Sequence, residues 1–272
     1  MHVNARLSAF KAATVVVAAL AFGGAAAAPL DLSTWQALTL DYPGGQAAGN
    51  WALGGGNTSV TQTVNADPSF FRNNVVQGAY TITGTWQVAS GTGDDDYMGF
   101  AFGYQNSSNF YLFDWKSVSQ NYVGRTAAEG MTIKKFTGAT GNGAADLSLE
   151  EFWENQVDFG DMDVLAKNHG NDKGWVANKA YTFELDFNVA PGQFTIRVKD
   201  GGLVLWDTTV VDATFTNGQF AFYNNSQSGV TYAGFVQDVA PPASGVPEPT
   251  SVALVVAALG GLAASRRRVA AG

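Results

Sequence analysis

The chain has 272 residues, a formal net charge of −8 at pH 7 and no cysteine. Nucleic-acid binding needs clustered Lys and Arg, so this acidic balance argues against a nucleic-acid partner, and the lack of cysteine excludes disulfide bonds. The 32 glycines and 18 phenylalanines in a weakly charged chain favour many turns and an aromatic core, which are typical of β proteins.

Residues 1–28 have the pattern of a secretion signal peptide. Arg6 and Lys11 precede the apolar run 12–22, and the alanines at 25–28 offer small-residue cleavage sites. The sequence therefore predicts a signal helix that is removed on export, and a buried N-terminal helix is the alternative.

Residues 29–240 carry the period-2 alternation of β-strands, in which every second side chain faces the core. The inward-facing residues predicted for two strands are Tyr80, Ile82, Trp86 and Val88, and Met98, Phe100, Phe102 and Tyr104. Two later runs, 181–187 and 194–198, flank Pro191 and Gly192 and predict a hairpin. About ten strands with turns between them predict two packed antiparallel sheets.

One acidic stretch, 142–178, breaks this rhythm. A short helix is predicted at 147–153 and a long loop elsewhere. Asp158, Asp161 and Asp163 lack the spacing of an EF-hand, so a solvated loop is favoured over a cation site there.

Two groups of oxygen-bearing side chains are candidate calcium ligands. Asp94, Asp95 and Asp96 are consecutive carboxylates at the entry to a strand, and a hard cation such as Ca²⁺ would relieve their repulsion. Asn65 and Asp67 lie two residues apart just before a proline. The alternatives are a solvated loop that protects an edge strand for the first group and an Asx turn for the second.

Catalytic patterns are sparse in the sequence. Beyond the signal peptide the only histidine is His169, and neither a G-x-S-x-G nor an H-E-x-x-H motif occurs. Glu184 and Asp186 alternate on one predicted strand, as the paired carboxylates of a jelly-roll glycosidase would. Ordinary polarity of a sheet surface explains this pair more simply.

The C-terminal residues resemble a PEP-CTERM sorting tail. The linker 241–249 ends in Val246, Pro247, Glu248 and Pro249, and the segment 250–272 holds an apolar run followed by Arg266, Arg267 and Arg268. The run of about 15 apolar residues would span only about 22 Å, which makes it a short transmembrane segment. The resemblance implies that an exosortase and the secretion machinery handle the chain during export, that the tail is removed, and that the chain passes through a transient inner-membrane intermediate. It also implies delivery to the surface or matrix of a Gram-negative bacterium.

The segment 94–116, DDDYMGFAFGYQNSSNFYLFDWK, resembles the C-terminal domain of thrombospondins, and the likeness extends over about 62–236. It implies a concanavalin-A-like jelly-roll sandwich that binds Ca²⁺ and works in extracellular adhesion, with Asn65, Asp67 and Asp94–Asp96 as the calcium-linked residues. Asp114 departs from the family motif, which is apolar at that position. The family's cysteines and the Arg-Gly-Asp tripeptide are absent, so binding to animal receptors is not carried over.

The sequence thus predicts an all-β sandwich at 29–240, flanked by an N-terminal signal helix and a C-terminal hydrophobic helix. The leading functional hypothesis is a non-catalytic, calcium-binding adhesion or matrix module whose ligand is a polysaccharide or a neighbouring surface protein. A carbohydrate-active enzyme on the same fold is the alternative, and a structural matrix protein without a discrete ligand is the third.

Overall fold

The computed structural model describes residues 29–239, which form two seven-stranded antiparallel sheets and one separate two-stranded hairpin. The strands of these residues, numbered in chain order, are β1 (Gln36–Thr39), β2 (Trp51–Gly54), β3 (Ser59–Gln62), β4 (Ser69–Arg72), β5 (Tyr80–Val88), β6 (Tyr97–Asn106), β7 (Asn109–Lys116), β8 (Gln120–Tyr122), β9 (Arg125–Ala127), β10 (Gly130–Thr137), β11 (Met162–His169), β12 (Ala180–Phe187), β13 (Gln193–Asp200), β14 (Leu203–Val211), β15 (Gln219–Asn225) and β16 (Val230–Val239). One α-helix, α1 (Leu149–Trp153), and two short 3₁₀ helices, Gly55–Asn57 and Gly143–Ala145, complete the described part of the chain.

The strand order of the first sheet is β1-β4-β15-β6-β7-β10-β11, and that of the second sheet is β14-β13-β12-β5-β16-β3-β2. The hairpin β8–β9 lies outside both sheets. Sequence-adjacent strands such as β6 and β7 pair directly, while β15 and β16 return to the middle of opposite sheets. This sandwich confirms the predicted all-β jelly roll of two antiparallel sheets.

The main core lies between the two sheets and is aromatic. Along β5, Tyr80, Ile82 and Trp86 are buried and the threonines between them are half-buried, as the alternation predicted. The Trp86 ring stacks on Phe183 of the second sheet at 4.7 Å and on Phe113 of the first sheet at 5.7 Å. The predicted hairpin at Pro191 and Gly192 is also confirmed as the β12–β13 connection, and Gly192 supplies the positive φ (72°) of its turn.

The predicted orientation of Tyr104 is wrong. Met98, Phe100 and Phe102 face the main core, but Tyr104 belongs to a second hydrophobic cluster on the opposite face of the first sheet. The register of β6 shifts after Phe102, where Gly103 has a φ of +55°. Relative to β15, this bulge adds one residue to β6 between Ala101 and Tyr104, so the Tyr104 side chain changes face.

The acidic stretch 142–178 is largely structured and covers this second cluster. Leu149–Trp153 forms the expected short helix, whose capping box joins Ser148 and Glu151, and Phe152 and Trp153 are buried against the sheet. The loop prediction fails at β11, which pairs with β10 at the edge of the first sheet. The first sheet is therefore buried on both faces by apolar side chains.

The predicted signal helix and the sorting tail lie outside the described residues. Within 29–239, no helix is long and apolar enough to cross a lipid bilayer.

Candidate functional site

Three loops meet at one end of the sandwich and form what we call the acidic rim, composed of Asn65, Asp94, Asp95, Asp96 and Ser228. The side-chain amide of Asn65 donates to Asp94 Oδ1 at 2.8 Å, and the hydroxyl of Ser228 donates to Asp94 Oδ2 at 2.6 Å. The Ser228 backbone amide also donates to Asp94 Oδ2 at 3.2 Å. Asp94 thus links loops that lie 29 and 134 residues away in sequence.

A buried lysine neutralises the inner part of the acidic rim. The Lys116 ammonium group lies 2.5 Å from Asp96 Oδ1 and 3.6 Å from Asp95 Oδ1. The Lys116 side chain is fully buried and also donates to Gln120 Oε1 at 2.9 Å. Burial raises the pKa of Asp96, and the charge of Lys116 opposes that shift. The sequence analysis missed this partner, because the repulsion of the three aspartates was considered without the strand opposite them.

Asp67 faces a different loop from the acidic rim. Its carboxylate is buried and accepts backbone N–H groups from Gln46 at 2.9 Å and from Tyr42 at 3.3 Å. Gly45 lies so close to this carboxylate that a side chain there would collide with it. Asp67 therefore closes the 42–46 turn, and both of its oxygens are used in doing so.

The five predicted calcium ligands consequently fall into two sets. Asn65, Asp94 and Asp95 lie at the partly exposed rim and offer amide and carboxylate oxygens, which are the donors that Ca²⁺ prefers. Asp67 and Asp96 are buried against internal donors. Within residues 29–239, no group of three or more His, Cys, Asp or Glu is arranged to hold a metal ion. The rim fits Ca²⁺ in donor type, and the remaining ligands of a six- to eight-coordinate ion would be backbone carbonyls and water.

A second buried ion pair explains the departure at position 114. Asp114 Oδ2 lies 2.7 Å from the Lys134 ammonium group, and both side chains are fully buried beneath α1. Lys134 also donates to the Phe152 carbonyl at 2.8 Å. Burial raises the pKa of Asp114 and lowers that of Lys134, while each charge opposes the shift of the other. The buried Asp114 carboxylate is thus compensated by a lysine on the neighbouring strand.

The alternating carboxylates of β12 both have partners on the outer face of the second sheet. Glu184 forms an ion pair with Arg197, which also donates to Asp207 at 2.9 Å. Asp186 accepts the Thr81 hydroxyl at 2.5 Å. Glu184 and Asp186 therefore belong to a network of ion pairs and hydrogen bonds between neighbouring strands on the surface of the sheet.

His169 lies at the end of β11 and provides a pH-dependent contribution to stability. Its Nε2 lies 2.9 Å from the Thr132 hydroxyl. Burial, together with the ammonium groups of Lys167 and Lys134, lowers the pKa of His169 to about 4. Between pH 6.5 and 4 the unfolded chain therefore binds a proton that the folded chain does not, so folding stability decreases as the pH falls through this window.

Replacing His169 with glutamine should reduce this acid sensitivity. We expect the unfolding midpoint of the His169→Gln variant to fall less than that of the wild type between pH 7 and pH 4, as measured by circular dichroism. The carboxylates titrate in both proteins, so the difference between the two slopes isolates the imidazole. Parallel slopes would show that His169 titrates normally in the folded protein.

The family model of the thrombospondin C-terminal region matches residues 46–239. The chain belongs to this family. Thrombospondin-3b of Danio rerio is 29% identical over 210 residues, which cover 75% of this chain and 22% of the relative. Cartilage oligomeric matrix protein of Homo sapiens is 30% identical over 210 residues, which cover 75% of this chain and 27% of the relative. The matching part of the chain thus spans about a quarter of the length of these two relatives.

Two solved structures resemble much of this thrombospondin C-terminal region at low sequence identity. The carbohydrate-binding module CBM66 from Bacillus subtilis aligns with a TM-score of 0.47 and 15% identity, over 74% of this chain and 94% of that chain. A Bacillus subtilis protein with a galectin-like fold aligns with a TM-score of 0.46 and 9% identity, over 78% and 93% of the two chains.

Proposed function

We propose that this thrombospondin C-terminal region is an exported, non-catalytic adhesion or matrix module whose loops are ordered by Ca²⁺. The observation that carries the proposal is the acidic rim, where one carboxylate, Asp94, links the loops of Asn65 and Ser228. Loops that meet at the end of a rigid sandwich are a common location for binding surfaces. A divalent ion on Asn65, Asp94 and Asp95 would offset the negative charge that Lys116 leaves uncompensated.

The ends of the sequence support an extracellular location. The pattern of residues 1–28 favours export, and the motif Val246–Pro249 with Arg266–Arg268 favours handling by an exosortase. We therefore place the module at the surface or in the exopolysaccharide layer of a Gram-negative bacterium, after a transient inner-membrane stage. Its ligand in this proposal is a polysaccharide or a neighbouring surface protein.

Calcium should raise the thermal stability of the purified protein. At a free Ca²⁺ concentration 100 times Kd, binding to the folded state adds about 2.7 kcal/mol, which corresponds to roughly 5–10 °C in Tm for a domain of this size. Scanning calorimetry in EGTA and in millimolar Ca²⁺ measures this shift. We expect Asp94→Ala to lose the Ca²⁺-dependent increment.

Asp172→Ala is the matched control for the loss of one carboxylate, because the Asp172 side chain is 82% exposed and lies in another loop. It should keep the full Ca²⁺ response. Equal midpoints in EGTA and Ca²⁺, together with no bound Ca²⁺ in equilibrium dialysis, would reject the calcium part of the proposal and leave the adhesion part to be judged by ligand binding.

A further inference from the structure

A cleft of about 420 Å³, lined by none of the acidic-rim residues, lies where α1 and its preceding turn meet two loops; we call it the tyrosine cleft. Its volume falls in the range of small-molecule sites in proteins. Its lining residues come from the 42–45 turn, the tip of the β8–β9 hairpin and the segment 144–150.

Two tyrosines with restricted positions line the tyrosine cleft. Tyr122 is 40% exposed, and its ring packs edge-on against Trp153 at 5.0 Å. Tyr42 is half-buried, and its hydroxyl donates to the Leu147 carbonyl at 3.0 Å. Rigid aromatic side chains with a polar edge lose little entropy on binding and offer a flat apolar face beside hydrogen-bonding groups.

The hairpin tip that carries Tyr122 holds a strained backbone. Val123 has a φ of +45°, and Gly124, the next residue, has a φ of +74°. A two-residue turn of this kind normally uses Asn-Gly, and a β-branched residue at positive φ is a genuine outlier. Such strain persists only where surrounding contacts maintain it, and it concentrates at binding sites. The hairpin is fixed to the body of the domain by Arg125, whose guanidinium group lies 3.5 Å from the centre of the Phe159 ring.

The electrostatic character of the tyrosine cleft is acidic. The carboxylate-bearing Glu150 is one of the residues that line it. Burial raises the pKa of Tyr42, and the carboxylates of Glu151, Asp67 and Glu150 raise it further. Among the residues that the structure describes, no Lys or Arg side chain lines the cleft. A polyanion would be repelled here, whereas a neutral ligand rich in hydroxyl groups could donate to Glu150.

We infer that the tyrosine cleft binds a pyranose unit of a neutral polysaccharide, with the sugar ring against Tyr122 and its hydroxyls donating to Glu150. The inference rests on the proposed adhesion function and assigns that function a ligand class and a site. Anionic polymers such as polyuronates should bind more weakly, because Glu150 repels them.

The test is binding of the purified exported protein to laminarin, mannan and galactan, with alginate as the anionic comparison, by affinity electrophoresis and calorimetry. We expect at least one neutral polymer to bind and alginate to bind at least tenfold more weakly. Tyr122→Ala should weaken the neutral interaction at least tenfold, and Tyr122→Phe should retain it because the ring remains. Glu150→Gln should weaken binding about threefold or more without changing the unfolding midpoint, which keeps the test decisive if Tyr122→Ala folds poorly.

Gln87→Ala is the matched control, because Gln87 lines a comparable cleft of about 360 Å³ on the second sheet. If Tyr122→Ala and Glu150→Gln bound the polymer as the wild type does and Gln87→Ala did not, the tyrosine cleft would not be the binding site. The protein would still be a polysaccharide-binding module. Equal affinity for alginate would overturn the assignment to neutral polymers. If the wild type bound none of the three neutral polymers, the inference and the polysaccharide part of the proposed function would both be wrong. The calcium part of the proposal would still stand or fall on its own test.

Discussion

Replacing Lys134 with methionine should lower the free energy of unfolding by about 3–5 kcal/mol, because it leaves the Asp114 carboxylate buried without its counter-charge. The two groups lie 2.7 Å apart, and neither side chain is exposed. The variant also deprives the Phe152 carbonyl of a donor, which weakens the attachment of α1 to the sheet. Chemical denaturation with urea measures the loss.

The double variant Asp114→Leu with Lys134→Met should recover most of this stability. Removing both charges replaces a desolvated ion pair with apolar side chains, and such replacements are often neutral or stabilising. Lys173→Met controls for the loss of a lysine, since that side chain is 40% exposed and should change stability by less than about 0.5 kcal/mol. If Lys134→Met alone costs under about 1 kcal/mol, the ion pair is solvated and the buried arrangement is wrong.

The sequence predicted the main core of the sandwich, because a strand buried on one face must alternate. Tyr80, Ile82 and Trp86 showed that alternation, and the structure buries all three. The prediction for Tyr104 failed because β6 has one extra residue between Ala101 and Tyr104 relative to β15, and nothing in the local pattern marks where a bulge occurs. Alternation thus assigns faces only between bulges.

The acidic stretch was predicted as a long loop with a short helix, and the structure adds the strand β11 and buries part of its charge. Glu151 is buried, and its carboxylate accepts the backbone N–H of Asp161 as well as that of Ser148. The Glu151 carboxylate thus accepts from backbone amides of a turn and of a helix start that would otherwise be unpaired. The strand β11 was missed because most of its residues are half-buried, so its pattern lacks clear alternation.

The acidic rim could be predicted as a list of residues, but its electrostatics could not. Asp94–Asp96 stood out in the sequence, whereas Lys116 becomes their neighbour only through the register of β6 and β7, which places Tyr97 opposite Lys116. Register depends on the whole sheet and is not visible in a single segment. The ion pair of Asp114 could not be predicted for the same reason, since its partner Lys134 lies on a separate strand.

Replacing Lys116 with methionine should lower the free energy of unfolding in EGTA by about 3–5 kcal/mol. The variant leaves the buried Asp96 carboxylate without the ammonium group that now lies 2.5 Å away. The loss should be partly reversed by adding Asp96→Asn, because a neutral amide has a smaller desolvation penalty than a carboxylate. Urea denaturation in EGTA separates this effect from any contribution of calcium.

The Lys116→Met variant should bind Ca²⁺ more tightly than the wild type, although its free energy of unfolding in EGTA is lower. Lys116 lies 3.6 Å from Asp95, and its positive charge opposes a cation at the acidic rim. Repulsion between the ammonium charge and a divalent ion about 6–8 Å away is about 1 kcal/mol even in water, which is roughly fivefold in Kd. If stability in EGTA and Ca²⁺ affinity fell together, Lys116 would act by holding the rim loops in place. A fall in stability with a gain in affinity would instead show that the lysine and the ion compensate the same three aspartates.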